Sequence, residues 1–263
     1  MADSAALRPA ATILVLRDRD EGFEVLMLRR NLRSDFVGGA YVFPGGGVDD
    51  EDASARIQAR ILGMRDDEAS TRLSLVSGAL AYYVACVREL FEEAGLLLAC
   101  DASGVGVTTS SASARVFANE RRALNAGQLQ FVDFLEREDL YVDATTLRYL
   151  AHWVTPVGPP RRYDTRFFVA RAPADQVAAH DEGETVAHRW LRPYDALEAH
   201  RRGEFEMIFP TIRNLEALVD FSQVDQVLEY AERLRAIPRI EPRLVERNGV
   251  IVPVIEDEQA APS

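Results

Sequence analysis

Apolar and polar positions along the chain change period from segment to segment, and the changes mark its elements. Residues 11–16 and 23–28 are short β-leaning apolar runs. The polar stretch 17–22 between them predicts a β-hairpin. Residues 53–64 place Ile57, Ile61 and Leu62 at helical spacing. Residues 79–87 are rich in apolar side chains and lack Gly and Pro. They run on to Ala94 as a helix that Gly95 stops and Ser77 can cap. Residues 96–99 predict a strand and 103–113 a loop. Residues 114–126 and 128–138 predict two helices that are apolar on one side. Strands follow at 148–155, 161–170 and 187–191, then helices at 194–201 and 211–235. Asn248-Gly249 between two β-leaning runs predicts a last hairpin.

Composition narrows the class. The 263 residues are 48% apolar and 27% charged, ordinary for a soluble globular chain with a substantial core. Residues 1–10 read as an N-terminal tail, 11–237 as one domain, and 238–263 as a C-terminal tail with the hairpin. A net charge of −12 without any basic run argues against a nucleic-acid partner. No apolar stretch reaches the roughly 18 residues of a membrane span, so no membrane partner is expected. Residues 1–10 lack the basic-then-apolar order of a secretory signal, and the closing Ala-Pro-Ser is not the Ser-Lys-Leu peroxisomal address. Cys86 and Cys100 have no CxxC partner, which makes a disulfide framework or zinc site unexpected and a reduced, cytoplasmic location the default. His152, His180, His188 and His200 show no metal-ligand spacing and read as structural or surface residues.

The candidate chemistry lies at the end of the helix before Gly95. Glu89, Glu92 and Glu93 stand at i, i+3 and i+4, so they share one face. Three carboxylates there repel one another and meet the negative end of the helix dipole. A hard divalent cation removes that conflict, because it takes oxygen ligands and is held by carboxylates together with substrate phosphates. A solvated acidic face is the plain alternative for such a cluster. Upstream, Gly45-Gly46-Gly47 forms a turn without Cβ atoms, where backbone can approach a ligand or metal. Arg29 and Arg30 end the second strand; they are either solvated or a bidentate clamp for a diphosphate.

The two segments together resemble the Nudix box, G-x5-E-x7-R-E-U-x-E-E-x-G-U with U apolar. Arg88-Glu89-Leu90-Phe91-Glu92-Glu93-Ala94-Gly95-Leu96 matches the second half at every fixed position. Counted from Gly46, the first acid falls on Asp52, where the family usually has Glu. Between Asp52 and Arg88 lie 35 residues in place of seven, so the box carries an insertion, residues 53–80. The upstream run Val25-Leu26-Met27-Leu28-Arg29-Arg30, followed by Gly39 and Phe43-Pro44-Gly45-Gly46, resembles the motif of the coenzyme A diphosphatase branch. Leu28 replaces its Thr and Asp35 its second Arg. Tyr163-Asp164-Thr165-Arg166-Phe167-Phe168 resembles the same branch.

The resemblance implies an α/β Nudix α/β/α sandwich with a mixed sheet, a helical insertion inside the box and extra C-terminal helices. It implies hydrolysis of a diphosphate bridge with Mg²⁺, or Mn²⁺ in its place, held by Glu89, Glu92, Glu93 and the Gly45 carbonyl. Arg88 would orient the acids, and Arg29, Arg30 and Gly46 would meet the substrate. Glu184, six residues before Trp190, would bind a second metal or serve as general base; solvation is the alternative. Trp153, Arg161 and Arg162 are either near the nucleotide or structural. Coenzyme A or acyl-coenzyme A is the leading substrate, giving 3′,5′-ADP and a 4′-phosphopantetheine. ADP-ribose or a nucleotide sugar is the runner-up, and a non-catalytic nucleotide-binding module is the reading from another class. The insertion is either a cap over the substrate or a contact with a second subunit, as in a homodimer.

Overall fold

The computed structural model describes residues 5–32, 38–108, 111–181, 185–247 and 249–255. In chain order, β1 (Leu7–Arg19) and β2 (Gly22–Arg30) lead to the short strands β3 (Tyr41–Val42) and β4 (Gly45–Gly47). A 3-10 turn, Asp50–Ala53, precedes α1 (Ala55–Gln58), β5 (Ile61–Leu62), α2 (Asp66–Leu73) and α3 (Leu80–Ala94). Then come β6 (Ala99–Cys100), α4 (Ser111–Asn125), α5 (Phe131–Arg137), β7 (Tyr141–Asp143), β8 (Arg148–Val154), β9 (Arg162–Arg171) and β10 (Thr185–Leu191). The chain closes with α6 (Pro193–Arg201), α7 (Phe209–Glu216), α8 (Val224–Arg233), β11 (Arg239–Ile240), β12 (Arg243–Arg247) and β13 (Val250–Val254).

The main sheet has eight strands in the order β10-β2-β1-β9-β8-β11, with β3 on β2 and β4 on β1. It is mixed: β1 pairs antiparallel with β2 and parallel with β9. Side chains alternate across it, as a pleated strand requires. Ala11, Ile13 and Val15 of β1 pack with α2, α3 and α5, whereas Leu14 and Leu16 pack with α6, α7 and α8. Helices therefore cover both faces, and the α/β/α sandwich is the observed fold. The first hairpin forms as expected, but β1 begins at Leu7, inside the stretch read as a tail, because its parallel pairing with β9 starts there.

Four local expectations need correction. The strand expected over 96–99 is only β6, Ala99–Cys100. The helix expected over 53–64 is a single turn, α1, since Ile61 and Leu62 leave it to pair with Val142 and Asp143 of β7. The helix expected over 211–235 is two helices. The break carries a capping signal that apolar periodicity hides: Gln226 Oε1 accepts from the amides of Ser222 and Gln223, and the Val224 amide donates to Asp18. Ser77 does not cap α3. Asp66, in the insertion, accepts from the amides of Gly78 at 2.7 Å and Leu80 at 3.1 Å. The insertion thus satisfies donors at the start of the box helix, which would otherwise lack partners. No residue of 53–80 lines the main cavity described below, so the structure gives no support to its reading as a substrate cap.

Asp66→Ala is expected to lower stability in urea unfolding by about 1–2 kcal/mol, the scale of a lost N-terminal cap. Ser77→Ala is expected to stay within about 0.5 kcal/mol, as for an ordinary surface position. Equal effects at the two positions would contradict this assignment of the cap.

Candidate active site

The box helix α3 is apolar along most of its length and almost wholly buried, so its position against the sheet is fixed by the core. It ends at Gly95, whose φ of 68° is the left-handed stop that glycine adopts without a Cβ penalty. The last two turns carry Arg88, Glu89, Glu92 and Glu93 toward β4 and the 3-10 turn.

Arg88 organises the cluster. A guanidinium has five N–H donors, and each has an acceptor here. Nε and Nη2 grip Asp52 at 3.0 and 2.9 Å, and Nη2 also reaches the Gly47 carbonyl at 2.9 Å. Nη1 donates to Glu89 at 2.8 Å and Glu92 at 3.1 Å. Asp52 is 2% exposed and Arg88 8%, so this is a buried ion pair. Burial alone would lower the pKa of Arg88; Asp52, Glu89 and Glu92 outweigh it and hold the guanidinium charged. Burial pushes the Glu92 carboxyl above the ordinary carboxylate range, against the pull of Arg88. The substitution of Asp for Glu at position 52 leaves the grip on Arg88 intact. Asp52 is the residue that the sequence reading passed over as a participant, although the box register pointed to it.

The glycine turn meets the helix from the other side. Glu93 accepts from the Gly45 amide at 2.9 Å. The Glu89 carboxylate lies against Gly46 so closely that a Cβ there would overlap it. Only glycine leaves that space. Glu89 and Glu93 therefore meet the glycine turn, and Arg88 ties Glu89 to Glu92. Among the described residues no three His, Cys, Asp or Glu side chains are gathered closely enough to hold a metal ion as they stand. The reason is local: Arg88 takes Glu89 and Glu92, and Gly45 takes Glu93. The donor set is all oxygen, which suits a hard divalent cation.

Glu89, Glu93 and all three glycines line one end of a cavity of about 620 Å³, within the roughly 300–1,000 Å³ of small-molecule sites. Glu92 instead borders a smaller cleft with Arg88, Asp49 and Asp52. Arg30 lines the main cavity, but Arg29 does not. Neighbouring strand residues point to opposite faces, and Arg29 turns to the Gly39 carbonyl and the Tyr41 ring. Glu184 lies outside the described residues, as does Asp35. Trp153 and Arg161 line the cavity; Arg162 is buried and paired with Glu241. The motif at 163–168 divides by alternation. Tyr163, Thr165 and Phe167 face the cavity, while Arg166 sits over the Tyr82 ring of α3. The histidines make local contacts: His152 meets Asp164 at 2.7 Å, His180 meets His188 at 3.2 Å, and His200 donates to the Phe205 carbonyl. Both cysteines are buried and free.

Asp52→Ala leaves the buried guanidinium without its bidentate partner. The expected loss is about 3 kcal/mol in denaturant unfolding, the scale for breaking a buried pair. A change below about 1 kcal/mol would mean that Glu89, Glu92 and Gly47 satisfy Arg88 by themselves.

The model of the NUDT19 Nudix domain matches residues 2–218. The chain is 25% identical over 238 residues to the acyl-coenzyme A diphosphatase NUDT19 of Xenopus laevis, covering 79% of this chain and 63% of that protein. It is 28% identical over 247 residues to the protein of the same name from Gallus gallus, covering 80% and 64%. It therefore spans less than two thirds of the length of these curated relatives. A crystal structure of a NUDIX hydrolase from Alicyclobacillus acidocaldarius superposes with a TM-score of 0.67 at 29% identity, covering 86% of this chain and 96% of that one. With the box, the fold and most of its length in agreement, the chain belongs to the NUDT19 Nudix domain family.

Proposed function

We propose that this chain hydrolyses the diphosphate bridge of coenzyme A or an acyl-coenzyme A, releasing 3′,5′-ADP and 4′-phosphopantetheine or its acyl thioester. The observation that carries the reading is that Glu89 and Glu93 reach, beside a glycine turn, a cavity that Arg30 and Arg161 line together with many apolar residues. The substrate class follows the relatives from Xenopus laevis and Gallus gallus, which are named acyl-coenzyme A diphosphatases. No described helix is long and apolar enough to cross a membrane; a cytoplasmic setting is part of the proposal.

Water adds its oxygen to one phosphorus, the P–O bond to the bridging oxygen breaks, and the departing phosphate keeps that oxygen. Glu89, Glu92, Glu93 and the Gly45 carbonyl would hold the divalent cation, Mg²⁺ or Mn²⁺. Bound there, it would neutralise the diphosphate and acidify the attacking water. Arg88 positions Glu89 and Glu92 by its two Nη1 bonds. Arg30, at the cavity wall, supplies a guanidinium for the diphosphate oxygens. Gly46 keeps the Glu89 carboxylate at the turn. The attacking water gives its proton to a carboxylate, and the box glutamates and Glu184 are the candidates.

Incubation with Mg²⁺ and, separately, coenzyme A, ADP-ribose, a nucleotide sugar and a nucleoside triphosphate tests the reading by chromatography of the products. The expected product is 3′,5′-ADP from coenzyme A, lost on chelation with EDTA and restored by Mg²⁺ or Mn²⁺. Glu92→Gln is expected to reduce turnover about 100-fold or more, the scale of several kcal/mol of lost charge stabilisation. Turnover confined to ADP-ribose would overturn the substrate class and keep the chemistry. Binding without turnover of any substrate would favour a nucleotide-binding module.

Gly46→Ala separates the cradle from the fold. Its methyl group displaces only the end of a flexible side chain, so the melting temperature should change little, while kcat falls at least about tenfold because Glu89 is pushed from the turn. Unchanged kcat would show that the position of Glu89 against Gly46 has no part in the reaction.

A further inference from the structure

The chain beyond residue 218, where the family match ends, is tied into the domain. β11 adds to the main sheet, with Arg239 opposite His152 and Ile240 opposite Trp153. The next residue, Glu241, pairs with the buried Arg162. Ile240 and Ile255 both pack on the core formed with α6, α7 and α8. The hairpin β12–β13 runs between these two anchors and is held at both ends.

Its inner face reaches the main cavity. Leu244 and Pro253 are directly opposite each other across the hairpin, and both line the cavity with Pro242. Leu244 Cδ1 also approaches Gly158, lying 3.4 Å from where a Cβ would stand there, so the hairpin meets the loop 156–159. Pro156 and Pro159 of that loop line the same cavity. Leu244, Pro253, Pro242, Pro156 and Pro159 offer a ligand no polar side-chain group, and Thr155, Arg161 and Tyr163 line the cavity beside them. Proline has no N–H, and leucine has no polar side-chain atom. A nucleotide 3′-phosphate needs donors and cations; a hydrocarbon chain needs only apolar surface. Leu244 remains 41% exposed, which leaves apolar surface for such a chain to cover.

We propose that the Leu244–Pro253 face of the C-terminal hairpin is the wall that receives the acyl chain of an acyl-thioester substrate and sets the chain length accepted. The inference rests on the coenzyme A reading and adds a selecting surface that lies outside the matched family region. Each methylene drawn from water onto that wall contributes about 0.8 kcal/mol, or roughly a fourfold gain in binding. Selection by length follows from where the wall ends.

The test measures kcat/KM with Mg²⁺ across coenzyme A and its even-numbered thioesters from acetyl to hexadecanoyl. Wild type is compared with Leu244→Trp and Leu244→Ala, each checked for folding by circular dichroism. Leu244→Trp is expected to move the preferred chain to a shorter length and to lower the ratio of kcat/KM for the longest accepted thioester to that for coenzyme A at least about tenfold. Leu244→Ala is expected to move the preference to a longer chain. Either folded variant suffices. The same preferred length in wild type and variants, or a loss shared equally by coenzyme A and every thioester, would overturn the proposal. Failure of the coenzyme A reading is distinct, because wild type itself would then release no 3′,5′-ADP from any member of the series.

Discussion

The site depends on a buried guanidinium whose five donors are all used. Taking a charged group out of water costs several kcal/mol, and good geometry with full hydrogen bonding is what recovers it. Arg88 achieves this with acceptors from three parts of the chain: Asp52 in the 3-10 turn, Gly47 in β4, and Glu89 and Glu92 on its own helix. The same bonds that satisfy the charge fix the turn against the helix. This explains how a box interrupted by a long insertion keeps its geometry. The insertion leaves after Asp52 and returns before α3, so both halves of the ion pair stand on elements already placed by the sheet and the core.

The insertion also contributes to the helix it interrupts. Asp66 caps the start of α3, at the positive end of the helix dipole, where a carboxylate is favoured. At the other end of α3 three carboxylates oppose the dipole. The helix is thus locally satisfied at its beginning and locally frustrated at its end. Such a conflict persists in a stable fold only when the surroundings compensate for it, and sites of this kind are where function is found. Arg88 compensates in part, and the Gly45 amide does so for Glu93.

What could be read from sequence had a local cause. The first hairpin, the box helix with its Gly95 stop, and the strands β8 and β9 follow from short-range periodicity and turn chemistry, and all appear. That Glu89, Glu92 and Glu93 share one stretch of the box helix followed from helical spacing. The misreadings arose where tertiary contacts decide. Ile61 and Leu62 have helical spacing but are taken by β7. The break before α8 depends on Gln226 and Asp18, and neither contributes to an apolar pattern. Arg29 and Arg30 look equivalent in sequence, and only the pleat separates them. Nothing in the local sequence marks Asp66 as a cap, because Gly78 and Leu80 are brought to it only by the fold.

The cavity itself was the least legible feature, because its lining comes from nearly the whole length of the chain, from Ala10 to Pro253. Its polar end depends on residues held to tight tolerances: a Cβ at Gly46 alone displaces a carboxylate. Its apolar end has no such requirement, since dispersion and water exclusion are non-directional. Mutations can therefore reshape the apolar wall without disturbing the acids. A hairpin anchored by β11, Arg162 and Ile255 suits that role, because its base is fixed while its inner side chains are not part of the core. Separating the directional chemistry from the non-directional contact lets one part of the chain vary in what it accepts while the other stays constant in what it does.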